Sequence, residues 1–336
     1  MRYRVFGNTG LRVSEICYGT MRYASKTGER DDRSEAAARA LEQAVDLGIN
    51  CIHSSYEYGT RWLTGDVLFR HPKRHELHHI IKVNVPEWGE AAFDKGVFRK
   101  QVEEALRELK TDRIAVVQHL QRGSIPREIG YSAEGEPKRL LEFDAVTGPL
   151  TEEFTKLKEE GKVGFLTSFP YTAGYARRAV ESGLFSGLVA FYNVLETEML
   201  DFFSEMEGKG MGFIGIRPFA AGLLTARRVD RGALPEGDRL RDPGFDRLYD
   251  QLAEFRLAHG EEPADWTRFA LRFALSHRVI ASTVVGINTP EQLLSAAAAV
   301  EDGPIDAAVV QAAHGLTMKF REKFGVKAPG SGIPAY

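Results

Sequence analysis

The chain has little that would staple it covalently or carry it into a bilayer. Cysteine occurs twice in 336 residues, at Cys17 and Cys51. Both sit inside apolar runs, which excludes a disulfide scaffold and reads as buried, reduced thiols of a cytoplasmic protein. No apolar stretch approaches the roughly 20 residues of a membrane span, and Met1-Arg2-Tyr3-Arg4 is not followed by a signal-peptide core. An excess of one charge is also missing. The 44 Lys and Arg against 47 Asp and Glu leave a net charge of −3, no field for nucleic acid or an anionic membrane. There is no linker, low-complexity tract or sequence repeat. A glycine-rich nucleotide turn is absent too. The residues after the first long apolar run read Tyr18-Gly19-Thr20-Met21-Arg22-Tyr23, which argues against a doubly wound dinucleotide-binding sheet.

What is present is a regular alternation. Short apolar runs occupy Ile16–Thr20, Cys51–Ser55, His79–Val85, Ile114–His119, Val163–Ser168, Gly187–Asn193, Gly212–Pro218 and Ser282–Asn288. Most are continuous, as buried parallel strands are. Amphipathic stretches follow most of them. One puts Phe98, Val102, Ala105, Leu106 and Leu109 on a single face; another carries Ala37, Leu41, Ala44 and Val45 and stops at Gly48. Thr289-Pro290-Glu291-Gln292 reads as a helix start with a capping threonine, a first-turn proline and a glutamine to close the box. Eight strand–helix units predict an α/β fold, a (β/α)₈ TIM barrel in one domain over residues 1–336. Residues 1–15 read as an N-terminal β-hairpin with Asn8-Thr9-Gly10 at its turn, plugging the barrel bottom. Residues 16–300 form the barrel, and 301–336 a C-terminal helix and a tail near the top face. The connections Leu120–Gly148 and Phe219–Gly244 exceed the short norm and follow strand C-termini, the face where barrels keep their sites.

The ends of the second, third and fourth strands offer His53 and Tyr58, Lys82, and His119. Neighbouring strands lie about 4.8 Å apart, so these side chains can converge over one mouth. A phenol has a pKa near 10, and a close ammonium lowers it, so a Tyr–Lys pair can transfer a proton near neutral pH. Alone, Tyr58 reads as a rim aromatic, Lys82 as a snorkelling side chain and His119 as a satisfied buried histidine. Three successive strand ends together favour chemistry.

At this point the chain resembles the aldo-keto reductases over nearly its whole length. The resemblance rests on Gly7-Asn8-Thr9-Gly10-Leu11, Tyr18-Gly19-Thr20-Met21, Gly48-Ile49-Asn50, Tyr58-Gly59, Lys82, Ala105-Leu106-Arg107-Glu108-Leu109, His119, Glu160-Gly161-Lys162-Val163, Tyr192-Asn193, Gly222-Leu223-Leu224-Thr225 and Thr289-Pro290-Glu291-Gln292. It implies the same barrel, NADP or NAD as cofactor, and aldehydes, ketones or sugars as substrates. Tyr58 would be the proton donor, Lys82 its activator and His119 the group that orients the carbonyl. Gly19, Thr20 and Met21 would approach the cofactor. Gly222, Leu223 and Leu224 would wrap its pyrophosphate, and Gly286, Asn288, Glu291 and Gln292 would meet the adenosine phosphate. Departures cluster in the site. His53 stands where the family has Asp; Phe169-Pro170 where it often has Ser-Asn, with Ser168 as a substitute donor on a one-residue slip; Val189 for Gln; Ile216 for the stacking aromatic; Ala296 for Asn.

The residues thus predict a cytoplasmic NAD(P)-dependent oxidoreductase acting on a small-molecule substrate, with no metal, nucleic acid or membrane partner. Homo-oligomerisation is left open. One alternative is a redox-neutral enzyme on the same barrel, performing elimination, epimerisation or proton abstraction with Tyr58, Lys82, His119 and His53. Another is a non-catalytic binding or regulatory protein. For the substrate pocket the sequence offers Tyr23, Tyr56, Trp88 and Arg122, with Tyr131, Phe143 and Arg127 on the same presumed loops. Glu57, beside Tyr58, is a lesser candidate for the missing carboxylate, because adjacent residues seldom face the same way. His71, His75, His78 and His79 read as a solvated loop rather than a metal site.

Overall fold

The computed structural model describes residues 1–21, 23–24, 28–130, 133–225, 228–260 and 263–324, without the side chains of 133 and 321–324. Two short strands, β1 (Tyr3–Val5) and β2 (Arg12–Ser14), pair antiparallel. Eight more close a parallel barrel: β3 (Ile16–Gly19), β4 (Cys51–Ser55), β5 (His78–Asn84), β6 (Ile114–Leu120), β7 (Val163–Ser168), β8 (Gly187–Phe191), β9 (Gly212–Ile216) and β10 (Ile280–Gly286), with β10 against β3. The fold is the expected (β/α)₈ barrel with an N-terminal hairpin.

Helices clothe the outside. They are α1 (Asp32–Asp46), α2 (Arg61–Leu68), α3 (Lys95–Leu109), α4 (Glu136–Leu141), α5 (Phe143–Glu159), α6 (Ala173–Ser182), α7 (Leu200–Gly208), α8 (Asp246–His259), α9 (Trp266–Ala274), α10 (Pro290–Glu301) and α11 (Ala307–Phe324). The periodicity of α3 works as read: Phe98, Val102, Ala105 and Leu109 are its buried residues. Asp94 caps it by accepting from the Val97 N–H at 2.9 Å. Thr289 caps α10, while the Gln292 side chain accepts from Asn288 N–H at 2.8 Å, one residue earlier than a standard capping box. The long stretch after β6 holds α4 and the start of α5, and two helices follow β9 rather than one. Among the described residues no helix is long and apolar enough to cross a membrane.

The hairpin closes the barrel bottom. Its turn is a 3₁₀ turn at Gly7–Thr9, with Gly10 left-handed at φ 72°. Phe6 is fully buried in the interior cluster. A Cβ on Gly7 would meet the Gly210 carbonyl at 2.5 Å, and one on Gly212 would meet Phe6 Cε2 at 2.6 Å. Glycine at both positions lets the hairpin seat against the start of β9. The tail beyond α11 lies outside the described residues.

Strand alternation sorts side chains into two cores and thereby positions the site. The inner cluster includes Cys17, Cys51, Ile80, Val116, Leu120, Val189, Ile214 and Ile216; the outer cluster, under the helices, includes Tyr18, Ile52, Ile81, Val83, Val117, Leu188 and Tyr192. Cys17 and Cys51 are buried free thiols side by side across β3 and β4.

Candidate functional site

Tyr58 and Lys82 meet. Ser55, the last residue of β4, is the lateral partner of Lys82 on β5. The chain then makes one 3₁₀ turn, Tyr56–Tyr58, ended by left-handed Gly59. That turn folds Tyr58 back over the mouth, where the Lys82 ammonium lies 5.1 Å from the centre of its ring. Tyr58 itself is buried.

His53 lies below them, fully inside. Its Nε2 hydrogen-bonds Gln118 Oε1 at 2.8 Å, and Gln118 Nε2 donates to the Val189 carbonyl at 3.0 Å. This chain crosses the barrel from β4 through β6 to β8. Burial, with the charges of Lys82 and Arg61, pushes the His53 imidazole down to about 3, against the Gln118 hydrogen bond. His53 is therefore a neutral spacer, not a base poised near pH 7.

His119 does not join them, and this corrects the sequence reading. Gln118 reaches inward to His53, so its neighbour His119 points outward. Its Nε2 donates to the Val85 carbonyl at 2.6 Å, and its ring packs 6.2 Å from that of Phe93. Burial holds the imidazole down at about 4. The inward residue at the end of β6 is Leu120. Ser168 is turned out in the same way. It pairs laterally with outward-facing Leu188, and its hydroxyl lies by the Tyr175 phenol of α6. Phe169 faces in, edge-on to Tyr171 at 4.8 Å and Phe191 at 5.3 Å.

The rim above Tyr58 carries residues the sequence reading underweighted. Arg122 bridges two carboxylates, with Nη2 to Glu57 at 2.7 Å and Nη1 to Glu87 at 2.5 Å, and its guanidinium lies 5.4 Å from the centre of Trp88. Tyr56 donates its hydroxyl to Glu87 and accepts from Asn84 Nδ2 at 3.2 Å. Gln101 on α3 clips the Asn84 backbone, its Oε1 accepting from the Asn84 N–H at 3.1 Å. Burial works against the Glu57 carboxylate, but Arg122, then the Asn84 amide and the Lys82 ammonium, outweigh it and hold the carboxyl below its ordinary value. Arg122 is thus paired with two carboxylates. Tyr56 and Trp88 stay at the rim. Tyr23 does not, being wholly buried under α2 with its hydroxyl on Thr64 and its ring 6.0 Å from that of Tyr18. Phe143 is core on α5, packed 5.4 Å from Tyr175. Tyr131 lies outside the described residues, and Arg127 sits exposed in a 3₁₀ turn. In the histidine-rich segment, His71 faces Asp46 at 3.4 Å while His79 is buried against the helices. Among the described residues, no three metal-ligating side chains converge.

The residues present fit one end of a dinucleotide better than the other. Backbone φ is positive at Arg217, Ala220, Ala221 and Gly222, a cluster of strained conformations of the kind kept at ligand sites. A Cβ on Gly222 would meet Arg228 Nη1 at 2.8 Å and Arg239 Nη2 at 3.9 Å. Two guanidiniums beside bare backbone suit a diphosphate, although Asp238 engages Arg228 at 2.5 Å. Leu223 and Leu224 are buried core, so their side chains cannot wrap a ligand. At the α10 start, Gly286 is exposed, Asn288 N–H is bonded within the chain, and Glu291 puts a negative charge in the first turn. Gly19 is needed for packing, since a Cβ there would meet Val284 Cγ1 at 2.9 Å. Thr20 is spent on the His53 carbonyl at 3.1 Å, and Met21 sits in the turn after β3. On the far side of the mouth the inward side chains are Phe169, Val189, Phe191 and Ile216. Arg217 also lies there: its guanidinium stacks 4.4 Å over Phe191 and faces Glu196 through Nη1 at 3.5 Å, while Nε and Nη2 lack hydrogen-bond partners.

The pattern of the aldo/keto reductase family matches residues 15–316. Curated relatives include L-galactose dehydrogenase of Arabidopsis thaliana, 26% identical over 311 residues, covering 89% of this chain and 88% of that protein. An uncharacterized oxidoreductase of Bacillus subtilis, YrpG, is 27% identical over 337 residues, covering 90% of this chain and 91% of its own. Among solved structures, the holo form of aldo-keto reductase AKR11C1 from Bacillus halodurans superposes with a TM-score of 0.70 at 22% identity, over 94% of this chain and 96% of that one.

Proposed function

The chain belongs to the aldo/keto reductase family, and from that premise we propose that it is an NAD(P)-dependent oxidoreductase acting on a carbonyl or sugar-like substrate, with Tyr58 as the proton donor. The observation that carries this is the Tyr58–Lys82 pair, brought together at one rim of the mouth. Both curated relatives bear oxidoreductase names, which supports redox chemistry in general.

A bound nicotinamide would supply the hydride. Arg228, Arg239 and the Arg217–Gly222 backbone would hold its diphosphate. Tyr58 gives its hydroxyl proton to the carbonyl oxygen as that oxygen gains charge, and Lys82 stabilises the phenolate left behind. His119 has no part in this proton step. Trp88, half-buried at the rim, offers an aromatic face to a sugar ring, and Glu57, Glu87 and Tyr56 offer oxygens to its hydroxyls. The L-galactose named for one relative is a suitable first substrate to try.

A redox-neutral enzyme is the second reading, favoured by one observation: Phe169, Val189 and Ile216 line the region where the family holds the nicotinamide carboxamide. The test is NADPH and NADH consumption with L-galactose and simple aldehydes, in wild type and Tyr58→Phe. Consumption that the substitution removes supports the proposal. Turnover of substrate without either nucleotide overturns it.

A further inference from the structure

We propose that Arg217 is the receptor for a carboxylate on the substrate, so that the chain acts on carbonyl compounds that are also acids. This rests on the proposed carbonyl chemistry at Tyr58 and names the substrate class for it.

The backbone comes first. Ile216 ends β9 facing the interior, so alternation would turn Arg217 out under the helices. It does not turn out. Arg217 is left-handed at φ 63°, a sparsely populated conformation for a residue with a long side chain. Its guanidinium is brought over Phe191, 4.4 Å from the ring centre. Phe191 packs against the interior cluster and is partly exposed. The strained residue thus sets a cation on the aromatic side of the mouth, and its side chain keeps 13% of its surface exposed.

The donors come second. Glu196 meets Nη1 alone, at 3.5 Å. Asn193 pins that carboxylate, its Nδ2 donating to Glu196 Oε2 at 2.7 Å and to the Arg217 carbonyl at 3.0 Å. Nε and Nη2, on the other edge of the guanidinium, are buried and find no hydrogen-bond partner among the described residues. Buried donors left unpaired are rare and call for a partner from outside the chain. Two parallel N–H groups match the two oxygens of a carboxylate. Stacking on Phe191 fixes the plane of that fork.

Placement comes third. In the closed barrel, β9 is four strands from β5 in either direction. Arg217 therefore stands across the mouth from Lys82 and the Tyr58 turn. A carbonyl held at Tyr58 directs the rest of a small substrate toward Phe191 and Arg217. The diphosphate of a nucleotide has other cations, Arg228 and Arg239 beside Gly222, which leaves the Arg217 side chain to the substrate.

The experiment follows the side-chain Nε–H of Arg217 by ¹H–¹⁵N NMR, with its signal assigned by its loss in Arg217→Lys. The probes are matched pairs, glyoxylate with glycolaldehyde and D-galacturonate with D-galactose, together with inorganic pyrophosphate and NADPH. No turnover is needed. The acid of each pair should move the signal and bind about tenfold or more tightly than its neutral partner. Arg217→Gln should erase that preference and leave the neutral probes unaffected. No shift with either acid overturns the assignment, as does a preference that survives Arg217→Gln. A lower melting temperature in that variant with acid binding intact is what a purely structural arginine predicts, and overturns it too. A shift with pyrophosphate or NADPH but not with the acids gives Arg217 to the nucleotide and overturns the substrate assignment. The two readings fail separately. Acids bound at Arg217 without consumption of NADPH or NADH remove the redox reading and leave the receptor. Nucleotide consumption with the neutral carbonyls alone removes the receptor and leaves the redox reading.

Discussion

Across the mouth of the barrel, the ends of β4 and β5 carry Tyr58, Lys82, Glu57 and Asn84, whereas the ends of β7, β8 and β9 carry Phe169, Phe191 and Ile216. On the first side, Arg122, Glu57, Glu87, Tyr56 and Asn84 are joined in one run of ion pairs and hydrogen bonds. On the second, aromatic edges fill the space and one guanidinium, that of Arg217, rests on a ring. Proton transfer needs fixed donors at short range; holding a flat ring can be done by shape. Under the proposed function, the first side would carry the proton step and the second would hold a flat ring by shape.

The largest expected effect tests the polar side. Tyr58→Phe keeps the ring and its contact with Lys82 but removes the proton. Turnover should drop by roughly 10²–10⁴-fold with little change in melting temperature. Retained turnover would move the chemistry elsewhere.

Next in size is the acid response of the buried imidazoles. His53, His79 and His119 are held down at about 3, 4 and 4, chiefly by burial. In the unfolded chain they take up protons below about pH 6.5; in the folded chain they do not. The unfolded state therefore binds more protons as pH falls, and stability declines from about pH 6.5 toward pH 4. Each histidine should contribute roughly 1.4 kcal/mol per pH unit. Urea midpoints between pH 7 and 5 measure the slope, and substituting any one of the three should flatten it. A slope unchanged by all three substitutions would show that they are charged in the folded state.

His119→Leu separates the site from its surroundings. It leaves the Val85 carbonyl without its donor and should cost about 1–3 kcal/mol in stability. Below the melting transition, turnover should keep its order of magnitude. A loss like that of Tyr58→Phe would return His119 to the chemistry.

The smallest effect concerns the rim. A Cβ on Gly130 would collide with the Trp88 indole, so Gly130→Ala should push Trp88 aside at about 1–3 kcal/mol. KM for a sugar should rise while kcat holds. An unchanged KM would remove Trp88 from the substrate.

The residues that misled and those that guided differ in a physical way. Eight buried parallel strands are legible because both faces are apolar, so the runs are continuous whatever their direction. That same continuity hides which face each residue takes. His119 and Leu120, or Ser168 and Phe169, differ by one step, and one step reverses inside and outside. Gln118 was the available signal: a polar residue inside an apolar strand faces the interior network, and its parity puts His119 outside. Tyr58 and Lys82 were legible because both sit at strand ends, where side chains turn over the mouth. The low weight given to Glu57 fits the turn, which sends it to Arg122 and Tyr58 to Lys82. Tyr23 and Phe143 show that an aromatic beside a strand end fills the outer core as readily as it lines a pocket.

Isotope transfer from the nucleotide tests hydride transfer itself. Wild type is supplied with NADPH or NADH carrying deuterium at the transferable position of the nicotinamide, together with a carbonyl substrate, and the product is read by mass spectrometry and NMR. Hydride transfer should leave one deuterium, on the carbon that was the carbonyl, with no product formation in Tyr58→Phe above a small residual rate. A product without deuterium from the nucleotide, or carrying solvent hydrogen on the neighbouring carbon instead, would contradict it.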